Sequence, residues 1–184
     1  MDNTLTEAQL PIRYLGYSTA FRREAGSYGK DTKGMIRMHQ FDKLEMESFC
    51  LPEDGQAEQD FMIAIQEYMM QQLEIPYHVL ICCTGDMGDC DYRHIDIEAW
   101  IPSQEKYRET HSGDYMTDYQ ARRMNIRYKK NDGEKGYVHM NDATAFAMSR
   151  TLVAILENYQ QADGSIIVPE VLRPYMGKDI IKKI

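Results

Sequence analysis

Arg150 lies in TAFAMSRTLVAILENYQ, a run that reads as a nearly all-round apolar helix with Met148 and Leu152 beside it. Taking a guanidinium into such surroundings costs several kcal/mol unless a carboxylate or an anionic ligand receives it. An arginine paired with a core Asp, or emerging at the rim, is the plainer alternative. Arg22 and Arg37 fall on the polar face of a candidate hairpin, so with Arg150 they could bring three fixed-fork donors to one anion, and a triphosphate would suit them. Phe41 shares a face with Arg37 and Glu45; a flat base stacked on its ring would cover it, as would an overlying loop.

Carboxylates at Glu24, Glu45, Glu98 and Glu109 supply acceptors for an amine or ligands for a divalent ion. Magnesium needs few protein ligands, because phosphates and water complete its shell. Taken singly, each glutamate reads as a solvated charge or an ion-pair partner; their coincidence with the arginines gives them interest. The glycines at 26, 29 and 34 form neither GxxxxGK[ST] nor GxGxxG. His111, Ser112 and Asp114 lack a GxSxG elbow, which argues against hydrolase chemistry. The other histidines show no HExxH spacing, and Cys50, Cys82, Cys83 and Cys90 form no CxxC pair, so the thiols suggest neither a disulfide scaffold nor a zinc site.

The elements that must position these groups follow from periodicity. MIRMHQFDKLEMESF, from Met35 to Phe49, alternates as a strand, with Ile36, Met38, Leu44 and Met46 on the core face. YSTAFRREA is its partner across a long glycine-rich loop. AEQDFMIAIQEYMMQQLEI reads as a helix burying Ala57, Phe61, Ala64, Ile65, Tyr68 and Leu73. YHVLICC is a short apolar run, and HIDIEAWIP alternates Ile95, Ile97, Ala99 and Ile101 with polar neighbours. QARRMNIRY fits a strand edge or a short helix, KKNDGEKG a turn, YVHM a short strand. The expected fold class is α+β, an antiparallel sheet flanked by helices, in one domain over residues 1–184.

With 43% apolar residues the chain can fill a single core. Its formal net charge of -8 gives no general attraction to nucleic acid, although a local basic site remains open. The thiols suit the cytosol, MDNTLTEAQLP carries no signal pattern, and no apolar stretch is long enough to cross a bilayer.

FRREAGSYGKDTKGMIRMHQFDKLE resembles motif 2 of the class II aminoacyl-tRNA synthetases, in the form found in seryl-tRNA synthetases. The resemblance continues through CTGDMG, DIEAWIP, YRE, QARR, SRTLVAILENYQQADGS and VPEVLRPYMG, nearly the whole chain. It implies a homodimeric cytoplasmic ligase of protein biosynthesis, which joins serine to AMP from ATP and passes the seryl group to tRNA(Ser), with Mg2+ assisting. It also implies that the chain is a C-terminal piece of the catalytic core with motifs 2 and 3. The tRNA-binding arm, motif 1 and a threonine-x-glutamate loop would lie outside it, and the piece alone would be impaired.

By motif position, the resemblance implies Arg22 at the α-phosphate, Arg150 of motif 3 at the γ-phosphate and Arg37 in the phosphate region. Phe41 would stack the adenine, with Glu24 near the base, and Glu109 would hold magnesium with Ser112. Glu45 would receive the serine ammonium, and Thr144 would lie near the serine side chain with Asp142 beside it. Lys30 and Lys33 would meet the tRNA acceptor end. The family's HTLNGSGLAVGR reads HMNDATAFAMSR here, with Asp142 in place of asparagine and Ala143, Ala145 and Ser149 at glycine positions; EISSCSN reads ETHSGDY. A divergent serine pocket is the first reading of these changes; a non-catalytic, synthetase-like nucleotide-binding or regulatory module is the alternative.

Overall fold

The computed structural model describes residues 2–23 and 34–182. In chain order the elements are β1 (Asn3–Thr6), β2 (Ile12–Phe21), β3 (Gln40–Cys50), α1 (Gly55–Gln72), β4 (Tyr77–Ile81), β5 (Arg93–Ile101), β6 (Lys106–Tyr115), α2 (Tyr119–Met124), β7 (Ile126–Lys129), β8 (Lys135–Tyr137), β9 (His139–Ala147) and α3 (Met148–Tyr159). A short hairpin of β10 (Ile166–Ile167) and β11 (Ile180–Ile181) encloses α4 (Arg173–Met176). Six strands form one sheet in the order β2-β3-β9-β6-β5-β4, with every neighbouring pair antiparallel. The expected α+β architecture is therefore present.

Alternation decides which face is covered. Ile95, Ile97, Ala99 and Ile101 are all at most 3% exposed and pack with Ile63 and Met70 of α1 and Ala154 of α3. Leu44, Met46, Ala143 and Ala145 continue that apolar face against Met62. Both long helices thus lie on one side of the sheet, and most polar side chains of β3, β9, β6 and β5 occupy the other, Ser48 and His111 being exceptions. Gly113 lets α1 approach closely, since a Cβ there would come 2.6 Å from Ile63 Cδ1.

Several sequence expectations are corrected. The strand expected from Met35 begins at Gln40, because β2 stops at Phe21 and Phe21↔Gln40 is the last rung; residues 34–37 form a bend instead. Its partner reaches back to Ile12. The face expected for the α1 segment is right only at Leu73, which is buried, and Ile65, which is half-buried: Ala57, Phe61, Ala64 and Tyr68 are exposed, while Glu58, Gln59, Met62, Ile63 and Gln66 are buried. The buried polar groups find partners, Gln66 Oε1 excepted. Gln59 Nε2 donates to Arg93 O and Gly113 O, at 2.8 and 2.9 Å, and Gln66 Nε2 donates to Ser112 O and Thr144 O, both at 2.8 Å. Glu58 accepts two hydrogen bonds from Arg13 and one from Ser48.

TAFA belongs to β9, not to the helix, so YVHM is divided between β8 and a nine-residue strand from His139. The β3 partner dictates this: Leu44↔Phe146 and Lys43↔Ala147 are ladder rungs. QARRMNIRY is a short helix followed by a strand, with Asn125 in the left-handed region between them.

Candidate functional site

The polar face narrows to a pocket where β3, β6 and β9 meet the start of α3. Arg22, Phe41, Lys43, Glu109, Thr110, Ser112, Thr144, Ser149 and Arg150 line it, with Ile36, Met38 and Ala147 as apolar wall. Strand alternation puts Phe41 and Lys43 on this face, and the 147–148 transition from β9 into α3 brings Arg150 to its rim. Arg150 is therefore in the first turn of the helix, not deep in an apolar one. Its side chain is 18% exposed, and Nη1 lies 3.0 Å from both Glu109 Oε1 and Glu109 O, while Nε donates to Ile36 O at 3.3 Å.

The pocket's charged groups are paired with one another. The Arg22 guanidinium stands 5.0 Å from the Phe41 ring centroid, where a flat cationic or aromatic group is attracted to the π face. Lys43 Nζ lies 2.5 Å from Glu45 Oε2. The open volume left by these contacts is about 80 Å³, well below the ~300 Å³ or more that ligand clefts offer. A ligand larger than this must displace the Arg150–Glu109 and Arg22–Phe41 contacts and replace them with its own.

Beside the pocket, the register sets two polar rows across the sheet. One runs Glu45↔Thr144, then Ser112↔Asp96, joined where Ser112 Oγ meets Thr144 Oγ1 at 3.3 Å. The other runs Glu47↔Asp142↔Asp114↔His94. Burial raises the Glu45 carboxyl, and a hydrogen bond from Lys43 partly offsets it. Burial, with Glu45 nearby, pushes Glu47 up to about 7. Asp142 is raised by burial and then by facing Asp114. The Asp114 carboxylate close beside Nδ1, and the Asp96 carboxylate that accepts from Nε2, favour the His94 imidazolium and push it up to about 10. His111 points to the other face, 1% exposed against Phe146, and burial lowers it to about 4. Ser112 and His111 thus project oppositely, and no Ser-His-Asp triad forms.

Residues 1–159 match the family model described as the tRNA synthetase class II core domain (G, H, P, S and T). The chain belongs to the class II tRNA synthetase core family. It is 50% identical over 181 residues to the serine–tRNA ligase of Dictyoglomus thermophilum, covering 98% of this chain and 43% of that protein. It is 51% identical over 182 residues to that of Symbiobacterium thermophilum, again 43% of its length. Two solved structures share its fold. Seryl-tRNA synthetase from Pyrococcus horikoshii complexed with ATP has a TM-score of 0.96 at 45% identity, covering 100% of this chain and 41% of that one. Cytoplasmic serine–tRNA ligase from Naegleria fowleri in complex with AMP has 0.92 at 42%, covering 98% and 43%. The chain thus spans about two-fifths of the length of these relatives.

Within this class II core, the pocket gathers Arg22, Phe41, Glu109, Ser112, Thr144 and Arg150 of the motif-derived residues, and Glu45 adjoins them through Lys43. Arg37 is exposed on the bend and is not in the pocket lining, whereas Arg22 and Arg150 are. Asp142 lies in the acidic row, also outside the lining. Glu98 is the ladder partner of Glu109, lines an adjoining depression with Glu109 and Arg150, and lies 2.5 Å from His78 Nε2. Glu24, Lys30 and Lys33 lie outside the described residues. Sequence reasoning missed Lys43 and Gln66. The signal for Lys43 was its place two residues from both Phe41 and Glu45; Gln66 was hidden by reading the wrong face of α1. Glu109 and Ser112 are oxygen donors that line one pocket, a set that fits magnesium.

Proposed function

We propose that this chain carries the serine-activating core of a serine–tRNA ligase. A serine carboxylate oxygen attacks the α-phosphorus of ATP, the bond to the β-phosphate oxygen breaks, and seryl-adenylate and pyrophosphate result. The seryl group then passes to tRNA(Ser) and AMP leaves. The observation that carries the reading is the single pocket shared by Arg22, Phe41, Glu109, Ser112, Thr144 and Arg150. Relatives solved with ATP and with AMP support it.

Arg22 takes the α-phosphate, where charge grows in the transition state, and Arg150 takes the γ-phosphate once released from Glu109. Phe41 exchanges the Arg22 guanidinium for the adenine ring. Glu45 receives the serine ammonium where it now holds the Lys43 ammonium. Thr144 offers its hydroxyl to the serine side chain, and an analogue without that hydroxyl would leave Thr144 unpaired. Glu109 and Ser112 would hold Mg2+, which would supply neutralisation of phosphate charge. Catalysis on this reading is placement plus electrostatics. On the same reading the parent enzyme works as a cytoplasmic homodimer.

Calorimetric titration of ATP with magnesium into this chain, beside Arg150→Ala and Phe41→Ala, tests the nucleotide half. Saturable binding weakened at least about tenfold in each variant, the loss of about 1.4 kcal/mol or more, is expected. Equal binding by all three proteins would contradict the assignment.

A further inference from the structure

A second group of metal-ligating side chains lies on the same polar face, one strand beyond Ser112 and outside the pocket. Cys82 follows β4, and its N–H donates to His94 O at 3.0 Å, extending the ladder past Ile81↔Ile95. That pairing sets the thiol beside His94, and Asp96 is two residues further along the same face of β5. The Cys82 Sγ, a His94 ring nitrogen and an Asp96 carboxylate oxygen all lie within 4.8 Å of one another. Sγ is 3.2 Å from Asp96 Oδ2, and His94 Nε2 is 2.9 Å from Asp96 Oδ1.

The other edge of the imidazole faces carboxylates. His94 Nδ1 approaches Asp114 Oδ1 closely and lies 3.6 Å from Asp91 Oδ2. Both Nδ1 and Asp114 Oδ1 are buried atoms without a hydrogen bond of acceptable geometry, despite their proximity. The side chains of His94, Asp91, Asp96 and Asp114 are each less than a fifth exposed.

We propose that Cys82, His94 and Asp96 bind a zinc-class divalent ion, with Asp114 and Asp91 orienting His94 through Nδ1. One sulfur, one imidazole nitrogen and one carboxylate oxygen match the zinc donor set, and a thiolate disfavours magnesium and calcium. Three protein ligands leave a fourth tetrahedral position open. A ligating histidine typically donates its second ring N–H to a carboxylate, which fixes the tautomer and strengthens the ligand. Here Nε2 looks toward Cys82 and Asp96 while Nδ1 looks toward Asp114 and Asp91, the division of roles such a site requires. A metal-free imidazolium among carboxylates accounts for His94 but leaves the Cys82 thiol aimed at Asp96 without a role. The site is separate from the oxygen donors Glu109 and Ser112. Linear spacing hides it, because one cysteine comes from the end of β4 and the other ligands from its neighbour β5, with no CxxC pair.

The chain, loaded with Zn2+ and dialysed against metal-free buffer, should retain about one equivalent. Loaded with Co2+, it should show a thiolate-to-cobalt charge-transfer band. Cys82→Ser and His94→Gln should each lose the metal and the band while keeping the circular dichroism of the parent. Cys83→Ser, which removes the neighbouring exposed thiol, should keep both. No retained metal and no band in the parent would overturn the proposal, and so would retention unchanged by Cys82→Ser, which would mean adventitious binding only. If the variants fail to fold, the parent's cobalt spectrum against that of Cys83→Ser still decides: a band that persists in Cys83→Ser supports the site, and a band lost there overturns it. These readouts need neither ATP nor serine, so they stand apart from the proposed activity.

Discussion

Ser112 and Thr144 meet hydroxyl to hydroxyl at 3.3 Å, and Gln66 holds the backbone carbonyls of both residues from beneath. β6 and β9 pair through Gly113, Asp114 and Tyr115 only, so past Gly113 the two strands have no ladder rung to close the gap. One amide from α1 bridges it. The spacing of the two hydroxyls, one proposed for magnesium and one for serine, thus depends on a helix residue on the opposite face of the sheet.

Gln66→Leu should therefore destabilise the fold by roughly 2–4 kcal/mol, because buried carbonyls lose their donors. Urea denaturation measures this. Gln66→Glu should be at least as damaging at neutral pH, since a carboxylate cannot donate. A change below about 0.5 kcal/mol in both variants would remove Gln66 from this role.

Thr144 faces Glu45 across the ladder and lines the pocket, 2% exposed. Thr144→Val keeps the shape and removes the hydroxyl. Its discrimination of serine against alanine in kcat/KM should fall by about 10- to 100-fold. Unchanged discrimination would place the serine hydroxyl elsewhere.

Glu47 and Asp142 are acids whose native-state affinity for protons is raised, mainly by burial. The native chain then holds protons that the unfolded chain has already released. Stability should fall as pH rises from the ordinary carboxylate range through about 7, where Glu47 titrates, and further as Asp142 deprotonates. Asp142→Asn should flatten this slope and stabilise the protein by roughly 1–3 kcal/mol at pH 8. Melting curves across pH check it; parallel slopes in the two proteins would contradict the argument.

How far the sequence could be read depended on what each residue packs against. Ile95, Ile97, Ala99 and Ile101 announce a strand because they alternate with His94, Asp96, Glu98 and Trp100 and one face is wholly buried. The α1 face was misread because its buried stripe includes Glu58, Gln59 and Gln66, whose partners are backbone carbonyls, Arg13 and Ser48, far away in the chain. TAFA was read as helix because local apolarity cannot distinguish a buried strand from a helix; the β3 partner decides it. Motif position singles out Arg22, Phe41, Glu109 and Arg150, whereas their mutual pairing in the pocket belongs to three-dimensional packing. The Cys82, His94 and Asp96 cluster needs two neighbouring strands to exist.

The central claim is serine activation. Serine-dependent exchange of pyrophosphate into ATP, measured on the complete natural protein that contains this sequence, tests it most directly. The account predicts exchange with serine, little with alanine, and a loss of about 100-fold or more on Glu45→Gln or Arg150→Ala. No serine-dependent exchange by the folded, complete protein would contradict the account and favour a nucleotide-binding module without ligase chemistry.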